Sequence, residues 1–405
     1  MNKSPDSLPT DFPGMRSARP SRRGLLRAGG LIAAAGALAA CGTKGSSSNG
    51  GSPACAAPAD TSATQKTINF SNWPGYLDEQ PGNAEIHPTM AEFTAKSGVK
   101  VSYVADVNDN NEFWGKISAQ LTSCQSIDRD LMVLSDSTAV RVVRQGYTQP
   151  LDLTKMPNFV KNLHPMLRGS DVDPQNNRMV PWQSGLVGIG VNTNVTGEVH
   201  TIDELLTRPD LKGRVVCLTE MPDTMGLMLH SIGKSAAKFT DDDYDNALAK
   251  LQKAVQSGHV RKFTGNDYVQ DLATGDIAAC MAWSGDVIQL NVQDPKVKFI
   301  SPDEGAVLYS DESLIPVTSP HADNAMALLD FYYDPAIAAR LSAFVNYVCP
   351  VAGAQEEMAK FNPKLAQNEL IFPTPETQKK LQIFMSLTEA QEKSYQSKFQ
   401  TLAGA

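Results

Sequence analysis

The sequence predicts an α/β protein of two lobes. Three observations carry that expectation: apolar runs of strand length, four-residue helical spacings between them, and a second unit of the same kind further along the chain. The first unit opens at Thr67-Ile68-Asn69-Phe70-Ser71-Asn72-Trp73, where polar and apolar residues alternate as in a half-buried strand. A helical stretch around Met90 and Phe93 stops at Gly98, and Val99, Val101 and Tyr103 alternate again. Phe113, Ile117 and Leu121 repeat every four residues, and Leu131 to Leu134 is a solid apolar run of the kind buried on both faces. Ser135, Asp136 and Ser137 then open a helix carrying Val140 and Val143. A hydroxyl there either caps the helix or meets a ligand, and capping is the commoner job. The second unit runs from Gly185-Leu186-Val187-Gly188-Ile189-Gly190-Val191-Asn192 through Val215 to Leu218, and on to the stretch from Ile277 to Trp283. Ligands of open α/β sheets gather beyond the carboxyl ends of strands, which is where Trp73, Ser135 and Trp283 fall.

Composition narrows the partners. The 405 residues are 41% apolar and carry a net charge of −8. Residues 1–40 hold six basic and two acidic side chains, so a product starting at Cys41 carries −12. Such a balance disfavours nucleic acid and mildly favours cationic small molecules, although an acidic surface more often only keeps a protein soluble. Residues 1–40 form an expected export signal: Ser21-Arg22-Arg23-Gly24-Leu25-Leu26 precedes an Ala/Leu/Gly run from Ala28 to Ala40 that is too short to span a bilayer. The paired arginines resemble a twin-arginine signal. Leu38-Ala39-Ala40-Cys41 resembles a lipobox, whose cysteine takes a diacylglyceryl group and ties the protein to the membrane. A chance cysteine behind an ordinary cleaved peptide is the competing reading. Residues 41–66 are rich in Gly, Ser, Ala, Thr and Pro and are expected to form a disordered tether. Of the remaining Cys55, Cys124, Cys217, Cys280 and Cys349, two or four are expected to pair outside the cytoplasm. They show no metal-ligand spacing, and no metal or cofactor is expected.

Several segments together resemble polyamine (spermidine/putrescine) binding proteins: Asn72-Trp73-Pro74-Gly75-Tyr76, Ser135 after its apolar run, and Ile189-Gly190-Val191-Asn192. The resemblance covers the chain from about Ile68 onward. Its most specific stretch is Phe263 to Val287, where Asp271-Leu272-Ala273-Thr274-Gly275-Asp276-Ile277 leads into Trp283-Ser284-Gly285-Asp286-Val287, close to the putrescine-binding branch. Asp311 before Leu314-Ile315-Pro316, and Asn346-Tyr347 before Pro350, continue it in order.

The resemblance implies a periplasmic-binding-protein-like fold with multiple crossings between lobes, near Gln183, Gly305 and Val348. One lobe would comprise 67–183 plus 306–347, the other 184–305 plus 348–405. It implies a monomer that captures a polyamine and delivers it to an ABC transporter permease. Trp73, Tyr76, Trp283, Tyr309 and Tyr347 would line the cleft with Ser135 and Ser137, and Asp286 and Asp311 would receive ammonium groups. The residue types suit that ligand, because aromatic faces accept methylenes and cations while carboxylates pair the amines. The chain departs from the putrescine-binding pattern at Gly75 and Thr224, where acids are expected; Asp136, Glu220 and Asp223 are the candidate replacements. An insertion from Asp78 to His87 is expected to decorate the surface.

Other function classes find less support. The chain has no H-E-x-x-H and no G-x-S-x-G, so an exported enzyme would have to work with carboxylates. Gly233-Lys234-Ser235 lacks the first glycine of a phosphate loop, and Asp106-Val107-Asn108-Asp109-Asn110 lacks the glycine and glutamate of a calcium loop and reads as a turn. Tyr332-Tyr333 resembles the tandem phenolates of ferric-ion carriers, but its neighbours Phe331, Leu341 and Phe344 favour packing.

Overall fold

The computed structural model describes residues 55–404 apart from 171, 379 and 380. The export signal, the lipobox with Cys41 and the first part of the tether lie outside the described residues. Ten strands make one sheet: β1 (Thr67–Asn72), β2 (Lys100–Ala105), β3 (Leu131–Ser135), β4 (Val180–Asn192), β5 (Val215–Leu218), β6 (Val260–Thr264), β7 (Ala279–Trp283), β8 (Val297–Ile300), β9 (Val307–Leu314) and β10 (Gln382–Ile383). Their order is β2-β1-β3-β9-β4-β7-β5-β6, with β10 pairing β9 and β8 pairing β4.

The wings of this sheet are parallel and its middle is antiparallel. β1 runs parallel to β2 and β3, and β5 runs parallel to β6 and β7. β9 is antiparallel to β3 and β4, and β4 is antiparallel to β7. Parallel strands need helical crossovers, which cover both faces and bury them. Leu131, Met132, Val133 and Leu134 of β3 accordingly have no exposed surface. β4 is buried along all 13 residues because it serves both wings, pairing with β9 through Val187 and with β7 from Val187 to Val191. Its register with β9 shifts between Pro181 and Gln183. Just beyond, Ser184 pairs with Ser310 of β9 on one side and bridges to Val348 on the other, exchanging backbone hydrogen bonds of 3.1 and 2.7 Å with it. Three separate chain segments thus meet side by side at one level.

Local signals behave as their chemistry requires. The helix Pro88–Ser97 starts with a proline in its first turn and ends at Gly98, whose φ of +74° suits a residue without Cβ. Asp109, in the sequence that looks like half a calcium loop, accepts from Glu112 N at 2.9 Å and caps the helix Asn110–Thr122. Tyr332 and Tyr333 are fully buried, and their hydroxyls donate to the Trp182 and Pro181 carbonyls at 2.8 and 2.7 Å, so both phenols belong to the packing. The Asp78 to His87 insertion is an exposed loop over most of its length, closed by Thr89 N donating to the Asp78 carboxylate at 3.0 Å.

Two expectations need correction. Residues 55–66 are not a free tether, although their small residues have little to bury. Cys55 is disulfide-bonded to Cys124, Thr61 N donates to Pro320 O at 2.8 Å, and Asp60 and Ser62 accept from the backbone N–H groups of Asp323 and Asn324. One covalent link and a set of helix-end hydrogen bonds replace the missing apolar contacts. The second correction concerns residues 348–405, which do not stay with the β5–β6–β7 wing. His164 N donates to Pro350 O and Ala352 N to Asn162 O, and the helix Ala354–Phe361 packs on the helix Pro335–Val345. From Gln382 the chain returns to the other wing: Gln382 Oε1 accepts from Ser235 Oγ at 2.7 Å, Met385 N donates to Ala236 O at 2.9 Å, and Tyr395 of the helix Glu389–Ala403 stacks on Tyr244 with ring centroids 4.0 Å apart. Cys217, Cys280 and Cys349 are buried free thiols, so one pair forms.

The Cys55–Cys124 link closes a loop of 69 residues, which restricts the unfolded chain. Replacing both cysteines by serine is expected to lower stability by about 2–4 kcal/mol in a urea titration.

Candidate functional site

The strand registers assemble a site before any side chain is considered. Ser135 at the end of β3 lies opposite Asp311 of β9, Asp311 lies opposite Gln183 of β4, and Tyr309 lies opposite Gly185. Trp283, the last residue of β7, lies opposite Val187. Trp73 directly follows β1. Seven of the residues singled out from the sequence, Trp73, Tyr76, Ser135, Trp283, Tyr309, Asp311 and Tyr347, line one narrow cavity of about 10 Å3 together with Asn266. Trp73 and Trp283 approach edge to face at 6.4 Å, and Tyr76 and Tyr347 at 4.8 Å, so aromatic rings wall it from both wings.

Two glycines make these positions possible. A Cβ on Gly185 would lie 2.5 Å from the Tyr309 hydroxyl oxygen, and one on Gly285 would lie 2.2 Å from the Tyr347 ring. Only a residue without a side chain lets either ring sit against the backbone there.

The carboxylates behind the aromatics are held by phenol, indole and amide donors. Asp286, 7% exposed, accepts from Tyr347 Oη at 2.5 Å on one oxygen, and from Tyr268 Oη at 2.8 Å and Asn266 Nδ2 at 3.1 Å on the other. Tyr76 donates its hydroxyl to Asp311 Oδ2. Trp283 Nε1 donates to Asp223 Oδ2 at 2.6 Å. Glu220 accepts from Asn110 N at 3.0 Å, at the start of the helix Asn110–Thr122. Among the described residues, no Lys, Arg or His forms an ion pair with Asp136, Glu220, Asp223, Asp286, Asp311 or Glu312.

Burial without a counter-cation shows in the acidities. Burial pushes Asp311 up to about 6, with the Tyr76 hydrogen bond pulling it back. Burial also raises Asp286, against the pull of the Tyr347 and Tyr268 hydroxyls. Asp223 rises well above the carboxylate range through burial and then the neighbouring Glu220, and Glu220 is pushed to about 8 by burial and Asp109. Several polar atoms of the lining also lack a protein partner: Asp311 Oδ1, Tyr309 Oη, Trp73 Nε1 and Asn266 Oδ1. An acceptor carboxylate, aromatic faces and unpaired polar atoms around one narrow space are what an organic cation needs.

Some residues sit elsewhere than expected. Ser135 occupies the N-cap position of the helix Asp136–Arg144, yet its side chain makes no capping bond and lines the cavity instead. Ser137 is not in that cavity; it and Asp136 line a larger one, because Ser135 and Ser137, two residues apart at a helix start, do not share a face. Thr224 is fully buried and bonds Leu218 O at 2.8 Å, while its neighbour Asp223 lies behind the cavity and accepts from Trp283 Nε1. Gly75 has φ +74°, a conformation in which an acid would be strained. Asn266 and Tyr268 were not foreseen. They follow β6 at its carboxyl end, within the Phe263 to Val287 stretch, and those were the signals available to find them.

Ionised Asp223 has its proton affinity raised by the fold, so its contribution to stability falls as pH rises from about 4, the unfolded value. Asp223→Asn keeps an acceptor for Trp283 and cannot ionise. The melting temperature of the ligand-free variant is expected to exceed the parent's by about 2 °C or more at pH 8, with the gap closing near pH 4.

Residues 89–373 match the family of bacterial extracellular solute-binding proteins. The chain is 30% identical over 340 residues to the putrescine-binding periplasmic protein PotF of Escherichia coli, covering 79% of this chain and 86% of that one. Among solved structures, it superposes with a TM-score of 0.66 on the spermidine/putrescine ABC transporter substrate-binding protein PotD of Streptococcus pneumoniae, at 21% identity over 83% of this chain and 98% of that one. It superposes with a TM-score of 0.68 on the TpPotD lipoprotein of Treponema pallidum, at 20% identity over 84% of this chain and all of that one. The periplasmic-binding-protein fold and the shared sequence together place this chain in the family of bacterial extracellular solute-binding proteins, and its role is to bind a solute.

Proposed function

We propose that the solute is a polyamine, putrescine or spermidine, captured in the aromatic cavity and delivered to an ABC importer permease. The observation that carries this reading is the set of buried carboxylates without a basic partner, walled by tryptophan and tyrosine. An ammonium group answers the charge of Asp286 or Asp311, and the methylenes lie against Trp73, Trp283 and the tyrosines. The printed ligands of the similar proteins, putrescine and spermidine, have this chemistry. Asp223 and Glu220 stand in for the acids missing at Thr224 and Gly75. Another small cationic amine is the second reading, favoured by the absence of a carboxylate at Gly75 itself.

In the same reading, one lobe comprises residues 67–183, 306–347 and the segment from 349 to 372. The other comprises 184–305 with the segment from 382 to 404. The level at which Ser184, Ser310 and Val348 meet is the hinge about which they close on the ligand. The protein acts as a monomer, exported through the twin-arginine-like signal and held at the outer face of the cytoplasmic membrane by a lipid on Cys41. It catalyses no reaction.

Calorimetric titration of the disulfide-bonded chain, with Cys41 replaced by serine, tests the ligand. One of putrescine, spermidine, spermine or cadaverine is expected to bind at micromolar concentration or below, about −8 kcal/mol or better. Asp311→Asn is expected to weaken that affinity at least tenfold, in keeping with ~2–5 kcal/mol for breaking a buried charge pair. Binding requires Asp311 ionised, so affinity is expected to fall as pH drops below about 6, by up to roughly tenfold per pH unit for each proton displaced. Absence of heat with every amine, from folded protein, would remove the polyamine reading.

The anchor is tested separately. The Cys41→Ser protein is expected to move from the membrane fraction to the soluble extracytoplasmic fraction, and one that stays with the membrane counts against lipidation.

A further inference from the structure

The turn at 106–110 does more than cap a helix. It follows β2, at one end of the strand order, yet it meets the loops that follow β5 and β6, at the other end. Thr219 Oγ1 donates to Asp109 Oδ2 at 2.7 Å, and Asn110 N donates to Glu220 Oε1 at 3.0 Å. A Cβ on Gly265 would lie 2.4 Å from Asn108 O, a backbone atom that cannot swing aside as a side chain does. The φ of Gly265 lies outside the left-handed region, so the need for glycine there comes from this contact and not from the backbone. Asp109 is fixed before Thr219 meets it, because its other oxygen accepts from Glu112 N at 2.9 Å. Burial and then Asp109 push Glu220 to about 8, and the proton it keeps at neutral pH relieves the repulsion between the two acids.

Both sides of this contact reach the aromatic cavity. Asn110 Oδ1 accepts from the backbone N–H of Ser135 at 3.1 Å, Asn266 directly follows Gly265, and Ser135 and Asn266 line that cavity. Thr219 N donates to Thr264 O at 3.1 Å, which keeps the loops after β5 and β6 in step. In the lobe division proposed for the protein, the turn at 106–110 belongs to one lobe, and Thr219, Glu220 and Gly265 belong to the other. The hinge level at Ser184, Ser310 and Val348 lies on the middle strands β4 and β9, and rotation about it moves the edge strands β2 and β6 furthest. We propose that Asp109, Thr219 and Gly265 form a clasp between the lobes, which holds the closed form at its outer edge and slows release of the solute. None of the three lines the cavity, so they act as positioning residues. This rests on the reading of the aromatic cavity as a solute site closed about that hinge.

Stopped-flow tryptophan fluorescence, with Trp73 and Trp283 of the cavity as reporters, gives on- and off-rates for putrescine and spermidine on the disulfide-bonded Cys41→Ser chain. Thr219→Val, which removes the hydroxyl and keeps the shape, is expected to raise the off-rate by about fivefold or more and to leave the on-rate within about twofold. Thr219→Ser is expected to restore the parent off-rate. Gly265→Ala is expected to raise the off-rate by about tenfold or more, because its Cβ holds the lobes apart. An unchanged off-rate in folded Thr219→Val or folded Gly265→Ala would overturn the clasp, as would a loss of affinity carried by the on-rate instead. A second measurement needs no solute. Asp109→Cys together with Thr219→Cys is expected to form a new disulfide under oxidised glutathione, the buried Cys217, Cys280 and Cys349 taking no part. A folded double variant that keeps both new thiols free would overturn the proposal. If neither amine binds the parent protein, the amine reading has failed, and the cross-link alone decides the clasp.

Discussion

A carboxylate taken out of water without a cation is among the least comfortable groups a protein can hold, and the interior of this one holds several around one pair of strands. Tyr76, Tyr347, Tyr268, Trp283 and Asn266 each give one of these carboxylates a hydrogen bond, yet none gives it a positive charge. Neutral donors stabilise the ionised form only in part, which is why Asp311, Asp286 and Asp223 all bind protons more readily than free carboxyls. The arrangement makes sense as one half of an ion pair whose other half arrives with the solute. Binding energy and stability are then coupled, because what the ligand-free protein loses by burying charge is recovered when a cation enters.

The sheet brings these groups into one place. Parallel wings leave their carboxyl ends facing a common space, and the antiparallel β4–β9 ladder joins the wings there. Ser135, Trp73 and Trp283 come from strand ends of different wings, whereas Tyr309 and Asp311 come from the ladder itself. Because β9 alternates its side chains, the same three residues put one acid toward the aromatic cavity and another toward its neighbour. Gly185 and Gly285 complete the design by yielding the volume that the tyrosine rings occupy.

The terminal segments take part in the body in ways their composition conceals. Residues 55–66 are tied by a disulfide and by the ends of a helix, so any free tether ends before them. The C-terminal stretch first packs beside Asn162 and the helix Pro335–Val345, then crosses β9 through β10 and docks its last helix on Tyr244. Arg141 and Arg144, on the helix that Ser135 opens, meet Glu392 and Leu387 of this stretch, which ties the C-terminal part of the chain to that helix.

The sequence by itself determined the α/β class and the strand ends at Trp73, Ser135 and Trp283, and its resemblance to polyamine-binding proteins named four more of the eight residues lining the aromatic cavity. Apolar runs, Gly98 and the start at Ser135 are local signals, and local signals follow from backbone sterics and side-chain periodicity. Tertiary structure alone decided that Ser135 faces the cavity rather than capping its helix, that Ser137 does not, and that Asp223 is bonded to Trp283 behind it. It also decided the Cys55–Cys124 pairing, the return of residues 349–372, and the place of Asn266, Tyr268 and Glu312. Each of these depends on which face of a strand or helix meets a partner far along the chain. One residue of register turns a side chain from one face to the other, and only the packed sheet fixes that register.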